Sequence, residues 1–194
     1  LSILNKAEEN VLHTFKVDDP KRFGVAVTDK DGRIERLVEK PQEFVSDEAI
    51  VGIYFIKDVK ALKEALNYLM KNDIRTKGEF QLTDALERMI QGGCKFRTAP
   101  VQKWLDCGLV ETLLETNAHI LGREAKSNPP QFEGSEIIEP CYIGKNVVIK
   151  NSKVGPDVSV GDGCVIENTE VCNAILWNGV KVSDKNLAGI IVHE

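Results

Sequence analysis

Aliphatic residues recur at positions 143, 149, 154, 160, 166 and 171, a six-residue step broken by two five-residue steps. That spacing suits neither an amphipathic helix nor a simple alternating strand. It is the mark of a hexapeptide β-helix, in which each hexad gives one short strand and one turn, and three hexads make a coil. The aliphatic side chains then stack into an inner column. Glycine or a small polar residue follows where the chain turns tightly, as in Ile143-Gly144, Val154-Gly155 and Val160-Gly161. Residues 137–194 are therefore expected to form roughly three coils, with Asn186 to Val192 capping the open end. The competing reading is an ordinary meander of short strands.

The region before the coils has different periods. Residues 11–17 alternate as a strand, and Phe23 to Thr28 is a second one. Asp29-Lys30-Asp31-Gly32 reads as a hairpin turn with positive φ at Gly32, and Arg33 to Glu39 as the returning strand, stopped by Pro41. Ala49 to Ile56 is nearly continuous apolar sequence, which suggests a strand buried on both faces. Gly52 inside it marks a bulge, a close approach of a ligand, or simple packing. Val59 to Met70, Gln81 to Ile90 and Leu109 to Leu121 have helical spacing, with Thr83 a candidate cap and Gly92-Gly93 a stop. Lys95 to Ala99 and Gln102 to Leu105 read as short strands, and Leu1 to Asn10 as the tail of a helix. The expected organisation is a mixed α/β region over 1–125, a Pro/Gly-containing linker over 126–136, and the coils over 137–194.

Composition excludes several classes. The net charge is −5 with no basic stripe beyond pairs such as Lys21-Arg22, so nucleic acid is not the expected partner. No stretch approaches the apolar length of a membrane span, and the first residues lack the build of a secretory signal. The five cysteines form no Cys-x-x-Cys pair. They read as reduced thiols in a cytoplasmic protein.

Three clusters pair a charge with a turn: Glu39-Lys40-Pro41 at a strand end, Lys77-Gly78-Glu79 before a helix, and Trp104-Leu105-Asp106 with Gly108 before another. Strand ends beside helix starts are where α/β folds place ligands. The strings FGVAVTDKDGRIERLVEKP, VGIYFI, KGEFQLTDAL and KWLDCGLVETLLETN, in this order, resemble sugar-1-phosphate nucleotidylyltransferases of the glucose-1-phosphate thymidylyltransferase kind. A left-handed parallel β-helix tail is common in that family. The resemblance implies the C-terminal part of the mixed-sheet nucleotidyltransferase domain, its sugar-phosphate side, followed by a short left-handed β-helix.

The resemblance also implies a reaction. A sugar 1-phosphate attacks the α-phosphate of an NTP, pyrophosphate leaves, and Mg²⁺ bridges the charge without a covalent intermediate. On that resemblance Glu39 accepts sugar hydroxyls, Lys40 holds the sugar phosphate, and Gly24 and Gly52 let backbone approach the sugar. Lys77 stands where relatives often carry an arginine on the same phosphate, Glu79 is a second sugar-side acid, and Asp106 is one of two aspartates on Mg²⁺. Phe23 replaces a frequent tyrosine, and Cys107 a common threonine. The glycine-rich run Gly-Gly-x-Gly-Thr-Arg, which cradles the triphosphate in the family, does not occur in the 194 residues, nor does the second metal aspartate. The expectation is a piece lacking the nucleotide side and inactive alone, either a homo-oligomer or associated with a missing N-terminal segment. Glucose 1-phosphate with dTTP or UTP is the first substrate choice, and mannose 1-phosphate with GTP the second. The alternatives are a non-catalytic regulatory or oligomerisation subunit on the same fold, and a hexapeptide-repeat acyltransferase. The last is disfavoured because the only histidine past the linker is His193.

Overall fold

In the computed structural model, residues 9–124 and 131–193 are described, and they fall into two compact units that divide between Trp104 and Leu105. The strands of the first unit are β1 (Asn10–Lys16), β2 (Gly24–Thr28), β3 (Ile34–Glu39), β4 (Glu48–Phe55) and β5 (Phe96–Pro100), and its helices are α1 (Val59–Lys71) and α2 (Leu82–Gln91). The second unit holds α3 (Val110–Glu124) and nine short strands: β6 (Glu136–Ile137), β7 (Cys141–Ile143), β8 (Val148–Lys150), β9 (Lys153–Val154), β10 (Val158–Val160), β11 (Val165–Glu167), β12 (Glu170–Leu176), β13 (Lys181–Ser183) and β14 (Asn186–Val192).

The first unit is a mixed sheet in the order β3-β2-β4-β1-β5, antiparallel except for the parallel β1–β5 pair. Leu12, Ala26, Leu37 and Ile50 of the sheet meet Ala65, Leu69, Leu86 and Met89 of α1 and α2 in one core. Asn10 organises one end of it. It is fully buried, donates to Asp58 Oδ2 (2.8 Å) and to the Lys95 carbonyl (3.0 Å), and accepts from the backbone N–H groups of Lys57 and Asp58. Asp58 precedes α1 but makes no side-chain cap bond; its carboxylate is engaged by Asn10 instead. The edge strand β3 is tied down by α2, where Glu87 accepts the Leu37 N–H at 2.7 Å.

Several sequence expectations change here. Gln102 to Leu105 is not a strand, and Thr83 is not a cap. Gln81 occupies the cap position and Thr83 lies inside α2, buried. β4 is buried only at Ala49 and Ile50, and Ile53 is 52 % exposed. The cause is a bulge. Leu12 pairs with Tyr54 but Thr14 pairs with Ile50, so β4 carries extra residues around Gly52, whose φ is 84°. The expected helix tail before Asn10 falls mostly on residues 1–8, outside the described residues, and Asn10 itself begins β1.

The second unit is a parallel β-solenoid of about three turns. Ile137, Val154, Val171 and Leu187 stack on one face, Ile143, Val160, Leu176 and Val192 on the second, and Ile149, Ile166 and Val182 on the third. Their inner column is dry: Val154, Val158, Val160 and Ile166 are completely buried, each contributing about 1.5–3 kcal/mol over an exposed position. Both five-residue steps fall at one corner, where Asn151 and Asn168 turn with φ of 47° and 48°. Two ladders run up that corner. The Asn151 amide donates to Asn168 (3.5 Å) and the Asn168 amide to Asp184 (3.1 Å). Beside them Ser135 and Ser152 hydroxyls accept the Ser152 and Thr169 backbone N–H groups. Asn186 to Val192, expected as a cap, is itself a rung paired parallel with β12.

α3 belongs to the solenoid unit, whereas the sequence placed it with the first region. Tyr142, Ser159, Ile175 and Ile191 point outward along the second face, and α3 packs on β10, β12 and β14 of that face. Of the expected linker, residues 126–130 lie outside the described residues. Phe132 packs against the solenoid core and Glu136 opens β6, so 131–136 joins the coils.

A β-carbon at Gly161 would lie 2.6 Å from the Asn178 nitrogen and 2.8 Å from the Trp177 carbonyl carbon of the next rung. Backbone cannot give way as a side-chain tip can, so Gly161→Ala is expected to lower unfolding stability by about 1–3 kcal/mol. Urea denaturation followed by far-UV circular dichroism measures it; an unchanged midpoint would show that the rungs shift freely.

Candidate functional site

The β2–β3 hairpin brings Gly24 opposite Glu39. A β-carbon at Gly24 would sit 2.8 Å from Glu39 Oε2 and 2.7 Å from Thr83 Oγ1 of α2. The bare glycine thus lets a carboxylate and a hydroxyl share one place. The Glu39 side chain is only 7 % exposed, and Lys40 Nζ lies 3.7 Å from its Oε1. Tyr54, from β4 just past the bulge, is close enough to Glu39 to feel its charge. Burial first and the Glu39 carboxylate second push the Tyr54 hydroxyl above its ordinary value. A buried carboxylate, an ammonium and two hydroxyls can accept and donate hydrogen bonds to a polyhydroxylated ligand and hold one anionic group.

Lys77 and Glu79 lie on the turn that leads into α2. Thr76 and Glu79 exchange both backbone hydrogen bonds (2.9 and 3.2 Å), and the Thr76 hydroxyl donates to Asp84 Oδ2 in the first turn of α2 at 2.7 Å. Glu79 accepts from Gln81 at 3.1 Å. Arg75 locks the turn: its Nη1 donates to the Gly78 carbonyl (3.2 Å), its Nε pairs with Asp73 (2.6 Å), and its guanidinium lies 4.1 Å over the Phe80 ring.

Lys40 and Lys77 share an unusual backbone. Nine non-glycine residues among those described have positive φ, and seven are Asn or Asp, which tolerate that region. The other two are Lys40 (φ 45°) and Lys77 (φ 52°). A lysine gains no local hydrogen bond there, so each costs roughly 1–2 kcal/mol. Strain of this kind clusters at functional sites.

The structure therefore gathers Gly24, Glu39 and Lys40 into one place. Gly52 shapes the bulge next to Tyr54, with open space around it. Lys77 and Glu79 are exposed on their own turn. Asp106 belongs to the second unit, where its carbonyl accepts the Thr116 hydroxyl at 3.4 Å. Tyr54 and Thr83 were missed as site residues in the sequence; each sat inside a quoted string, VGIYFI and KGEFQLTDAL, Tyr54 as an ordinary strand residue and Thr83 as a candidate helix cap. Beside Gly24, Trp104 packs edge-on against Phe23 (4.9 Å) and Phe15 (6.3 Å). All five cysteines are free, and no described helix is long and apolar enough to cross a membrane.

The sequence model of the family described as "Nucleotidyl transferase" matches residues 4–123. A glucose-1-phosphate thymidylyltransferase of Streptomyces antibioticus is 33 % identical over 174 residues, 80 % of this chain and 48 % of that protein. One of Streptomyces griseus is 29 % identical over 187 residues, 87 % of this chain and 51 % of that protein. A glucose-1-phosphate adenylyltransferase of Desulfitobacterium hafniense (strain Y51) is 32 % identical over 177 residues, 88 % of this chain and 42 % of that protein. The chain spans about half the length of the curated relatives it matches.

Tyr54 gives the site a pH signature. Its raised value means that its contribution to stability is complete below the phenol's ordinary value of 10.0 and is lost as pH rises through the folded-state value. Tyr54→Phe should flatten the alkaline loss of stability, and Glu39→Gln should bring the Tyr54 ionisation only part of the way back, because burial is the larger cause. Urea denaturation across alkaline pH reads the first, and ultraviolet titration of the phenolate, with Tyr54→Phe as the reference among the three tyrosines, reads the second; a Glu39→Gln profile identical to the parent's would separate the two side chains.

Proposed function

The chain belongs to the nucleotidyl transferase family, and from that premise we propose that it carries the sugar-phosphate side of a sugar-1-phosphate nucleotidylyltransferase. The reaction is NTP plus sugar 1-phosphate giving NDP-sugar and pyrophosphate. The observation that carries this reading is Lys40, strained and 3.7 Å from the buried Glu39 carboxylate, together with a second strained lysine, Lys77, on its own exposed turn. Lys40 and Lys77 are held in backbone conformations that cost stability, and both are cations that the resemblance assigns to the sugar phosphate.

In this reading the sugar-phosphate oxygen attacks the α-phosphorus, the bond to the β-phosphate oxygen breaks, and pyrophosphate departs with the electron pair. No covalent enzyme intermediate forms, so the protein positions the groups and neutralises charge. Lys40 and Lys77 lower the charge repulsion that the attacking phosphate meets. Glu39 accepts sugar hydroxyls, Tyr54 and Thr83 complete the polar wall, and Gly24 keeps the space clear. Glu79, held by Gln81, is a second acceptor.

Mg²⁺ would supply further neutralisation between the phosphates, with Asp106 giving one carboxylate. The described residues hold no group of three or more His, Cys, Asp or Glu able to form a metal site. Among the described residues the donors do not complete the ion's shell. The proposal extends to a nucleotide side, with its glycine-rich cradle, lying outside these 194 residues, to left-handed coils, to self-association and to a reducing, cytoplasmic setting. Glucose 1-phosphate with dTTP is the first substrate pair, supported by the two thymidylyltransferase relatives. UTP is next, and the adenylyltransferase relative adds ATP to the panel.

Isothermal titration of glucose 1-phosphate into the chain, and turnover of a sugar-phosphate panel against the NTPs by the protein that contains its nucleotide side, test this. Lys77→Asn should weaken sugar-phosphate binding at least tenfold, the scale of one lost charge-assisted hydrogen bond. The same change should leave thermal stability equal or higher, because asparagine accepts this φ. Weaker binding together with lower stability would mean that Lys77 holds the turn rather than the ligand.

A further inference from the structure

Between the Asp106 loop and the coils stands one pair of neighbouring side chains, Thr116 and Asn117 of α3. Thr116 is buried. Its hydroxyl donates to the Asp106 carbonyl at 3.4 Å and accepts the Cys107 thiol at 3.6 Å. Asn117 faces the coils. Its amide nitrogen donates to the Asp157 carbonyl at 3.2 Å, and its amide oxygen accepts the Ser159 hydroxyl at 2.6 Å. Both halves of the amide are thus fixed by one stretch of solenoid. The Asp157 carbonyl also accepts the Ala174 N–H of the next rung at 3.2 Å, so the anchor point is tied to two rungs.

The solenoid is stiff where Asn117 grips it. Val158 and Val160, on either side of Ser159, are completely buried in the inner column. Asp157 itself turns with φ 60°, held by its N–H on the Pro140 carbonyl at 2.7 Å. The loop at the other end lies outside the regular elements. Residues 102–107 form no strand or helix, and the helix that follows is started by Thr112, whose hydroxyl accepts the Leu109 N–H at 3.2 Å. Successive residues on a helix point about 100° apart. Thr116 and Asn117 can therefore hold different partners while moving as one rigid turn.

We propose that Asn117, with Ser159, is a positioning device: the solenoid fixes α3, and α3 through Thr116 fixes the loop that carries Asp106. The coils then act as a scaffold for a residue of the reaction, beyond any role in self-association. That Asp106 takes part in the reaction rests on the proposed function; that its loop is held through Asn117 rests on the hydrogen bonds alone.

The test is native-state hydrogen exchange by mass spectrometry on the chain itself. Asn117→Ala and Ser159→Ala should each raise exchange at the amides of residues 106–109 by about tenfold, the effect expected for losing one or two net hydrogen bonds. Coil amides between 141 and 183 should stay protected. Ser159→Thr keeps the hydroxyl and should restore the parent rate, and Glu115→Gln on the exposed side of α3 should change nothing. Unchanged exchange at 106–109 in both alanine variants overturns the proposal, as does a general loss of coil protection in Ser159→Ala, which would mark a merely structural bond. In the protein that contains its nucleotide side, Ser159→Ala should lower kcat with the KM for sugar 1-phosphate unmoved, and Ser159→Thr should recover it. A parent that turns over no sugar-phosphate and NTP pair would remove the functional reading, while the exchange result would still decide the positioning.

Discussion

Backbone turned through the left-handed region by residues with side chains is the constraint on which the rest of this structure depends. Asparagine and aspartate accept it because a short polar side chain can bond nearby, and at Asn151, Asn168 and Asp184 the residue so placed also bonds a neighbouring rung. The corner is then both a turn and a ladder, so every coil helps to fix its neighbour. Lysine has neither compensation. At Lys40 the strained residue follows a strand whose last position, Glu39, is paired with Gly24, and its own N–H is bound to the Phe23 carbonyl at 2.9 Å. The hairpin thus over-determines the conformation that lysine alone would leave. The same physics that makes the solenoid regular makes the sheet unit irregular at Lys40 and Lys77.

The solenoid and α3 show how a polar residue decides membership of a unit. An apolar outer face at Ile175 and Ile191 has to be covered, and an amphipathic helix covers it without specifying where along the face it sits. Asn117 supplies the specification, since a half-buried amide is most stable where both its donor and its acceptor are met. The Asp157 carbonyl and the Ser159 hydroxyl meet both within three residues.

Much of this was legible in the sequence for reasons that can be named. The hexad revealed the coils because an inner column needs an aliphatic residue at every rung, and even its two short steps mapped onto one corner. The hairpin at Asp29 to Gly32 was legible because positive φ needs glycine there, and Gly32 has φ 76°. What stayed hidden depended on partners distant in sequence. Thr83 looked like a cap because its neighbours are cap-like, but its hydroxyl instead lies beside Gly24 and Glu39. Tyr54 looked like strand filler until the bulge at Gly52 set its place. The Gln102 to Leu105 pattern resembled a strand, yet Trp104 there packs on Phe15 and Phe23 instead of pairing in the sheet. α3 was assigned by chain order, while its docking depended on the outward residues of strands that come after it.

The turn from Asp73 to Phe80 shows how a lysine is held in a strained backbone conformation. A guanidinium offers a planar fork and can bind and brace at once, whereas an ammonium is a compact charge on a flexible stem. Here the bracing is done two residues earlier. Arg75 engages Asp73, the Gly78 carbonyl and the Phe80 ring together, and Thr76 fastens the turn to Asp84 of α2. With the backbone already fixed at Lys77, the ammonium needs only to present charge. The strained φ of Lys77 is thus held by the rigidity that Arg75 and Thr76 supply.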